Sequence, residues 1–454
     1  MITFFAGILR FWDLSHPDVF TFDETYYAKD SWSMVHQGTE TVWPDDANSQ
    51  ILAGNIPMGT SGEFIAHPPL GKWIIGLGEL VFGMNPLGWR VMTALFGTAA
   101  IFLLARIGTR LFGSLWLGCT AALLMACDGL ELVMSRTGLL DIFVMFFALA
   151  AFGCLLVDRD RVRERDTGRP YSRWRWWRLA AGALLGCCCA VKWNGWDFLA
   201  AFGLLTVCWD IANHRRLGSR HPYRAMLRRD ALPAFASLVL VACAVYVLTW
   251  AGWFLSDNGY DRHSEPTAIG SWFHYQFQIW DFDTTLTAPH PYQSNPWSWL
   301  VMGRPVCFFW QKDPDGSVHE ILALGTPLLW WAACLSLAYA LYRWFFRRDW
   351  RFGAVLCAVA AGFVPWLQWQ ERTTFSYYMV VISPFLCLGV TGMLGAIIAG
   401  RDGASRRRRR IGTVAAGVVV IAVFCCFCYF LPLYVGAAVP YDTWHQHMWW
   451  PTWI

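Results

Sequence analysis

Twelve long apolar segments recur along the chain, at 1–12, 69–83, 88–112, 115–134, 138–157, 178–191, 194–211, 231–255, 321–342, 352–369, 375–399 and 411–435. A hydrocarbon core about 30 Å thick takes roughly 20 apolar helical residues to cross, and no other feature of the sequence restricts the fold as strongly. Repeated from end to end, these runs read as an all-α polytopic membrane protein. Composition agrees: 56% of residues are hydrophobic and 15% charged, against about 25% charged in soluble domains. Of fifteen cysteines, all but Cys307 fall inside apolar segments. They read as small apolar side chains, not as a disulfide framework or a zinc site. The first run, MITFFAGILRF, is short for a crossing, and the natural chain is expected to begin earlier.

Arginine placement orients the chain. Loops 105–113, 158–178, 212–230, 343–351 and 401–410 hold 2, 8, 6, 4 and 6 Arg, which is 26 of the 36 basic residues. The positive-inside rule places all five loops in the cytoplasm. Twelve crossings cannot satisfy this, because 105–113 and 158–178 would fall on opposite sides. Segment 69–83 is only 15 residues long and contains Glu79. Read as an interfacial helix, it restores parity. About eleven spans result, within one domain of residues 1–454. The amino terminus is then inside and the carboxyl terminus outside, with two long outer loops at 13–87 and 256–320. Attraction to membrane lipids accounts for the arginine runs, and no nucleic-acid partner is expected.

The remaining ionisable groups gather at one face. All four lysines (Lys29, Lys72, Lys192, Lys312) fall on the outer side, with Asp23, Glu24, His67, Arg90, Arg136, Asp141, His290, Glu371 and Arg372. Charges at the ends of spans are costly unless paired, hydrated or used. Transporters tend to place them near mid-membrane at broken helices; here they point to a site at the outer interface.

In FDETYYAKD (22–30), Asp23 lies near the start of an amphipathic helix running to about His36. It reads either as a helix cap with a solvated acid beside it or as a general base for an attacking hydroxyl. HPPLGKW (67–73) presents His67 and Lys72 after two prolines, for a phosphate or simply as a snorkelling anchor. Arg90 opens the next span. Arg136 and Asp141 share the turn SRTGLLD, where a self-satisfied ion pair is the plain alternative. VKWNGW carries Lys192, and its tryptophans fit an interfacial belt as well as a stacking platform. HPYQSNPWSWL (290–300) offers His290, Gln293 and Trp297 among prolines and aromatics, a surface suited to sugar rings. QERTTFSYY adds Glu371 and Arg372, the latter a further phosphate candidate. His445 and His447, two apart and without a nearby acid or Cys, are a weak metal signal.

Together these stretches resemble the protein O-mannosyltransferases. FDE, HPPLGK, the arginine of the next span, SR…LLD, KW.G, H.YQS.PWSW and a late arginine followed by aromatics stand in that family's order across residues 22–378. The closing H.WW.TW is similar to actinobacterial members. Residues 256–320 leave no room for the β-trefoil domain that eukaryotic members insert there, so the resemblance is to the bacterial type.

The resemblance implies a GT-C glycosyltransferase in the plasma membrane. It would move mannose from polyprenyl-phosphate mannose to Ser or Thr of emerging secreted or membrane proteins, at the outer face and with inversion. Asp23 would deprotonate the acceptor hydroxyl, with Glu24 supporting it. Arg90, Lys72, Arg136 and Arg372, in that order, and His67 are the candidates for the donor phosphate. Asp141, Lys192, His290, Gln293 and Trp297 would line the sugar or acceptor side. No cofactor and no metal are expected, because cationic side chains can take the phosphate charge. Two rivals remain: a relative that glycosylates a lipid or cell-wall polymer, and, more distantly, a transporter or flippase.

Overall fold

The computed structural model describes residues 1–165, 175–400 and 405–454. Parts of the arginine-rich loops 158–178 and 401–410 lie outside the described residues. The chain opens with helices α1 (Ile2–Phe11), α2 (Glu24–Gln37), α3 (Ala47–Leu52), α4 (Leu70–Phe82), α5 (Pro86–Phe112), α6 (Leu115–Ala126), α7 (Gly129–Met134), α8 (Asp141–Arg165), α9 (Trp176–Val191) and α10 (Gly195–Arg216). Among the described residues, seven helices are long and apolar enough to cross a membrane: Pro86–Phe112, Asp141–Glu164, Gly195–Arg216, Ala231–Thr249, Trp350–Gln368, Ser376–Ala399 and Arg406–Val435. The other four expected spans coincide with the shorter apolar helices α1, α6 and α9 and with the 21-residue helix Pro327–Arg347. The helical polytopic fold class holds.

Local chemistry sets the turns. Asn85 caps α5 by accepting from the Gly88 amide, with Pro86 in its first turn. Gly113 closes the same helix at φ +65°, and Ser114 then caps α6. A two-residue reversal therefore lays α5 and α6 antiparallel. α8 and Ser376–Ala399 form the centre of the bundle. Arg406–Val435 sits at its edge, with Val414, Val418, Ile421 and Phe424 exposed along one stripe. Such a face suits lipid rather than water.

The segment expected to be interfacial, 69–83, is α4. Gly71, Lys72, Ile75, Gly76 and Glu79 face the protein, while Leu77, Leu80, Val81 and Phe82 are exposed. At the arginine-rich ends of α8, α9 and α10, Arg175 pairs with Asp158 and Asp210, and Arg178 with Asp210 at 2.6 Å. His214 meets Asp230 at 2.7 Å. Some of these arginines are thus partners in a buried network as well as surface charges.

The second long loop contains structure that the apolar periodicity did not announce. β1 (Val306–Lys312) and β2 (Ser317–Ala323) form an antiparallel hairpin with a bulge between Cys307 and Phe309, and β3 (Val439–Pro440) pairs with β2. Asp-Pro-Asp-Gly makes the turn, with Gly316 at φ +87° and Asp315 accepting from the Ser317 amide. All fifteen cysteines carry free thiols.

Candidate active site

The site begins at the turn before α2. The Glu24 amide donates to Thr21 O, and the Glu24 carboxylate accepts from the Thr21 amide at 2.9 Å. Between them Phe22 takes a left-handed backbone at φ +47°. Asp23 occupies the cap position of α2 but makes no capping bond with its side chain. Half-buried, it instead accepts from the Tyr377 hydroxyl at 3.3 Å. Burial pushes the Asp23 carboxyl up to about 6, opposed by the Lys192 charge and the Tyr377 hydrogen bond and reinforced by Asp141. Such an acid is ionised at neutral pH yet more basic than an ordinary aspartate.

Glu24 is fully buried and turned the other way. Its Oε1 accepts from Arg90 Nε and the Gly138 amide, each at 2.8 Å, and its Oε2 from Arg90 Nη2 at 2.8 Å and the Thr21 amide. Arg90 gives its other N–H groups to Leu14, Pro17 and Val19 carbonyls at 3.2, 2.9 and 2.8 Å. All five guanidinium donors are engaged inside the chain, leaving none for a phosphate. Lys72 is held by Glu40 at 2.5 Å and the His67 carbonyl at 2.8 Å. Arg136 donates to the Leu9, Arg10, Trp12 and Asp13 carbonyls, satisfying the end of α1. Three of the expected phosphate cations are therefore committed to the fold.

Two are not. Lys192, in the turn between α9 and α10, lies 3.1 Å from both oxygens of Asp141 and 4.3 Å over the Tyr378 ring. Arg372 donates to Asp283 at 3.2 Å, while its Nε and Nη1 are buried without a partner. Lys192, Arg372 and His67 line a cavity of about 340 Å³ with Asn194 and Asp283, walled by Trp193, Trp196, Trp280, Trp366 and Trp369. His67 Nδ1 and both amide atoms of Asn194 are likewise buried and unpartnered. Burial and the charges of Lys192, Lys72 and Arg372 hold the His67 imidazole well below its usual range, hence neutral. An anionic head with an apolar tail suits such a cavity: unspent donors at one end, indole faces along the sides.

Of the HPYQSNPWSWL residues, His290 sits with its ring 4.9 Å edge-on to Phe375 and 6.0 Å from Phe22. Gln293 is exposed and accepts from the His290 amide, bracing the turn. Trp297 is 63% exposed, whereas Trp299 is 1% exposed and donates to Ser294. The last residues fasten this turn. Arg304 Nη1 donates to the Thr452 and Ile454 carbonyls at 2.7 and 2.9 Å, and the Trp453 indole to Met302 O at 2.8 Å. Ser376 donates to the Arg304 carbonyl, joining the tail to the segment that bears Tyr377. Tyr377, Asn194 and Asp283 went unnoticed in the sequence, although all three stand within or near stretches it singled out. Among the described residues, no group of three or more His, Cys, Asp or Glu is arranged to hold a metal ion.

Comparison with known proteins finds relatives along the whole chain. The family described as dolichyl-phosphate-mannose-protein mannosyltransferase matches residues 1–257, and the C-terminal four-transmembrane region of protein-O-mannosyltransferase matches residues 268–453. The polyprenol-phosphate-mannose–protein mannosyltransferase of Mycolicibacterium smegmatis is 36% identical over 100% of this chain and 92% of its own. That of Corynebacterium glutamicum is 33% identical over 100% and 92%. The S. cerevisiae protein O-mannosyltransferase Pmt1–Pmt2 complex bound to the sugar donor superposes with a TM-score of 0.79 at 13% identity, covering 100% of this chain and 92% of that one. That likeness shows the shared GT-C fold. On its sequence relatives and both family matches, the chain belongs to the protein O-mannosyltransferase family.

Proposed function

We propose that this chain transfers mannose from polyprenyl-phosphate mannose to Ser or Thr hydroxyls of polypeptides, inverting the anomeric centre, at the outer face of the plasma membrane. One observation carries the reading: Asp23, a carboxylate of raised basicity, feels the charge of Lys192, which also lines the cavity where Arg372 keeps two guanidinium nitrogens unspent. Asp23 accepts the acceptor hydroxyl's proton as that oxygen attacks the anomeric carbon. The bond from that carbon to the phosphate oxygen breaks, and the polyprenyl phosphate leaves with the pair. Arg372 and Lys192 meet the charge that grows on the phosphate, and neutral His67 adds a hydrogen bond. Asp141 holds Lys192 in place. Glu24 and Arg90 are the struts that hold the turn bearing Asp23, and the indoles of the cavity receive the prenyl chain and sugar. No cofactor takes part.

The arginine-rich loops support an orientation with eleven spans, the amino terminus inside and loops 13–87 and 256–320 outside. In this arrangement the whole chain is one GT-C unit, and the polypeptide acceptor approaches from the secretion side.

Membranes carrying the chain, incubated with labelled polyprenyl-phosphate mannose and a Ser/Thr-rich peptide, test the reading. Label in the peptide, lost in Asp23→Asn, is the expected result. Label in lipid or polymer instead would overturn the acceptor assignment, and no transfer at all would overturn the enzyme reading.

A further inference from the structure

Phe22 combines two features that seldom meet in one residue. Its backbone is left-handed at φ +47°, a region that bulky side chains rarely occupy. Its ring is also enclosed by residues from distant parts of the chain. Phe308, on β1, stacks on it at 4.8 Å and 13°. Tyr377, Phe375 and His290 meet it edge-on at 5.6, 5.8 and 6.0 Å. Non-glycine residues hold such a conformation only where surrounding structure over-determines it, and functional sites are where they gather.

The neighbours on both sides matter. Thr21 and Glu24 are tied to each other, and Glu24 to Arg90, so the turn is anchored from below. Asp23 follows Phe22 directly, in helical backbone with its carboxylate free of any cap. The kink at Phe22 therefore decides where that carboxylate points. Tyr377, one wall of the box around the Phe22 ring, is also the hydroxyl that donates to Asp23. One aromatic cluster thus grips both the backbone before the carboxylate and the carboxylate itself.

We propose that Phe22 is a positioning residue for the base, clamped by Phe308 and Tyr377 so that docking of the second long loop sets the reach of Asp23 toward the acceptor hydroxyl. This rests on the reading of Asp23 as base. It assigns a role to the sheet: β1 carries Phe308 to the turn of the first long loop, 286 positions away in sequence. A small error in the placement of a reacting group costs about a hundredfold in rate, so loosening the clamp acts on turnover. The donor cavity shares no ring with the clamp, so donor affinity is left alone.

Steady-state transfer by Phe22→Leu, Phe308→Leu and the double variant tests this, with Asp23→Asn alongside. The expected result is a fall in kcat of tenfold or more in each single variant, donor KM within twofold of wild type, and a double variant no worse than the more affected single one. The acid limb of the kcat profile should also move below about 6, as water reaches Asp23. Phe22→Gly relieves the backbone but empties the box, and it should be as slow as Phe22→Leu. Wild-type kcat with an unmoved acid limb in Phe22→Leu and Phe308→Leu would overturn the clamp, as would a fall in kcat matched by an equal rise in donor KM. Activity in Asp23→Asn would instead overturn the assignment of the base.

Discussion

Replacing Glu24 by Gln changes one atom in a saturated network. The carboxylate accepts four hydrogen bonds, two at each oxygen, from Arg90 Nε, the Gly138 amide, Arg90 Nη2 and the Thr21 amide. A glutamine amide keeps one oxygen. Whichever way it is turned, its NH₂ faces two donors, one of them on the guanidinium. Both are buried, with Glu24 and Arg90 at 0% and 1% exposure. Removing one partner of a buried ion pair typically costs about 3–5 kcal/mol, because the other charge is left uncompensated. Against a typical stability of about 5–15 kcal/mol, that is a large share. The expected outcome for Glu24→Gln is a thermal midpoint in detergent lowered by several degrees, with loss of the folded peak on size exclusion after heating. Asp23→Asn provides the contrast. Its carboxylate is held above its ordinary pKa, so ionisation of Asp23 opposes folding at neutral pH, and the neutral side chain should unfold no earlier than wild type. A Glu24→Gln protein with wild-type thermal stability and no transfer would refute this reasoning and return Glu24 to the chemistry.

Other outcomes follow from the same geometry. With Asp23 as the proposed base, transfer should be lost as pH falls through about 6, where its carboxyl takes up a proton. A kcat profile flat down to pH 4.5 would contradict this. Arg372→Ala should raise donor KM at least tenfold, at a modest cost in thermal stability from the loss of its one ion pair, to Asp283. Arg136→Met should do the reverse, lowering the thermal midpoint by freeing four carbonyls at the end of α1 while leaving donor KM unchanged. Lys192→Met should impair both, leaving Asp141 buried without its counter-charge. Melting curves and donor titrations on the same preparations separate the three.

Apolar run length and arginine placement were enough to read the helical polytopic fold, because both are properties of segments and need no knowledge of neighbours. The site was legible as a set of positions rather than as roles. Asp23, Lys192 and Arg372 were singled out alongside Arg90, Lys72 and Arg136, and nothing local tells a spent cation from an unspent one. The partners of Arg90 lie some seventy positions earlier, and those of Arg136 are backbone carbonyls that no side-chain pattern marks. Trp297 and Trp299 differ only by their place in a short 3-10 turn, which sends one outward and the other into the core. The hairpin did have a local signal, Asp-Pro-Asp-Gly between two short runs, but residues 256–320 read as an outer loop and 321–342 as a span, so the second strand was split between the two. Tyr377 was hidden because aromatic residues at the start of a span are expected on interfacial grounds alone.

The tail fastened to Arg304 and Met302 has a consequence for how the enzyme is made. A ribosome finishes Asp23 early and Trp453 roughly 430 residues later, which at ordinary synthesis rates of about 5–20 residues per second is a delay of roughly 20–90 s. In the last part of that interval, once residue 304 has been made, the turn that leads to Phe308 and accepts from Ser376 still lacks the residues that pin it. The turn at 302–304 therefore reaches its full set of contacts only after residues 452–454 have been made, long after the Asp23 turn.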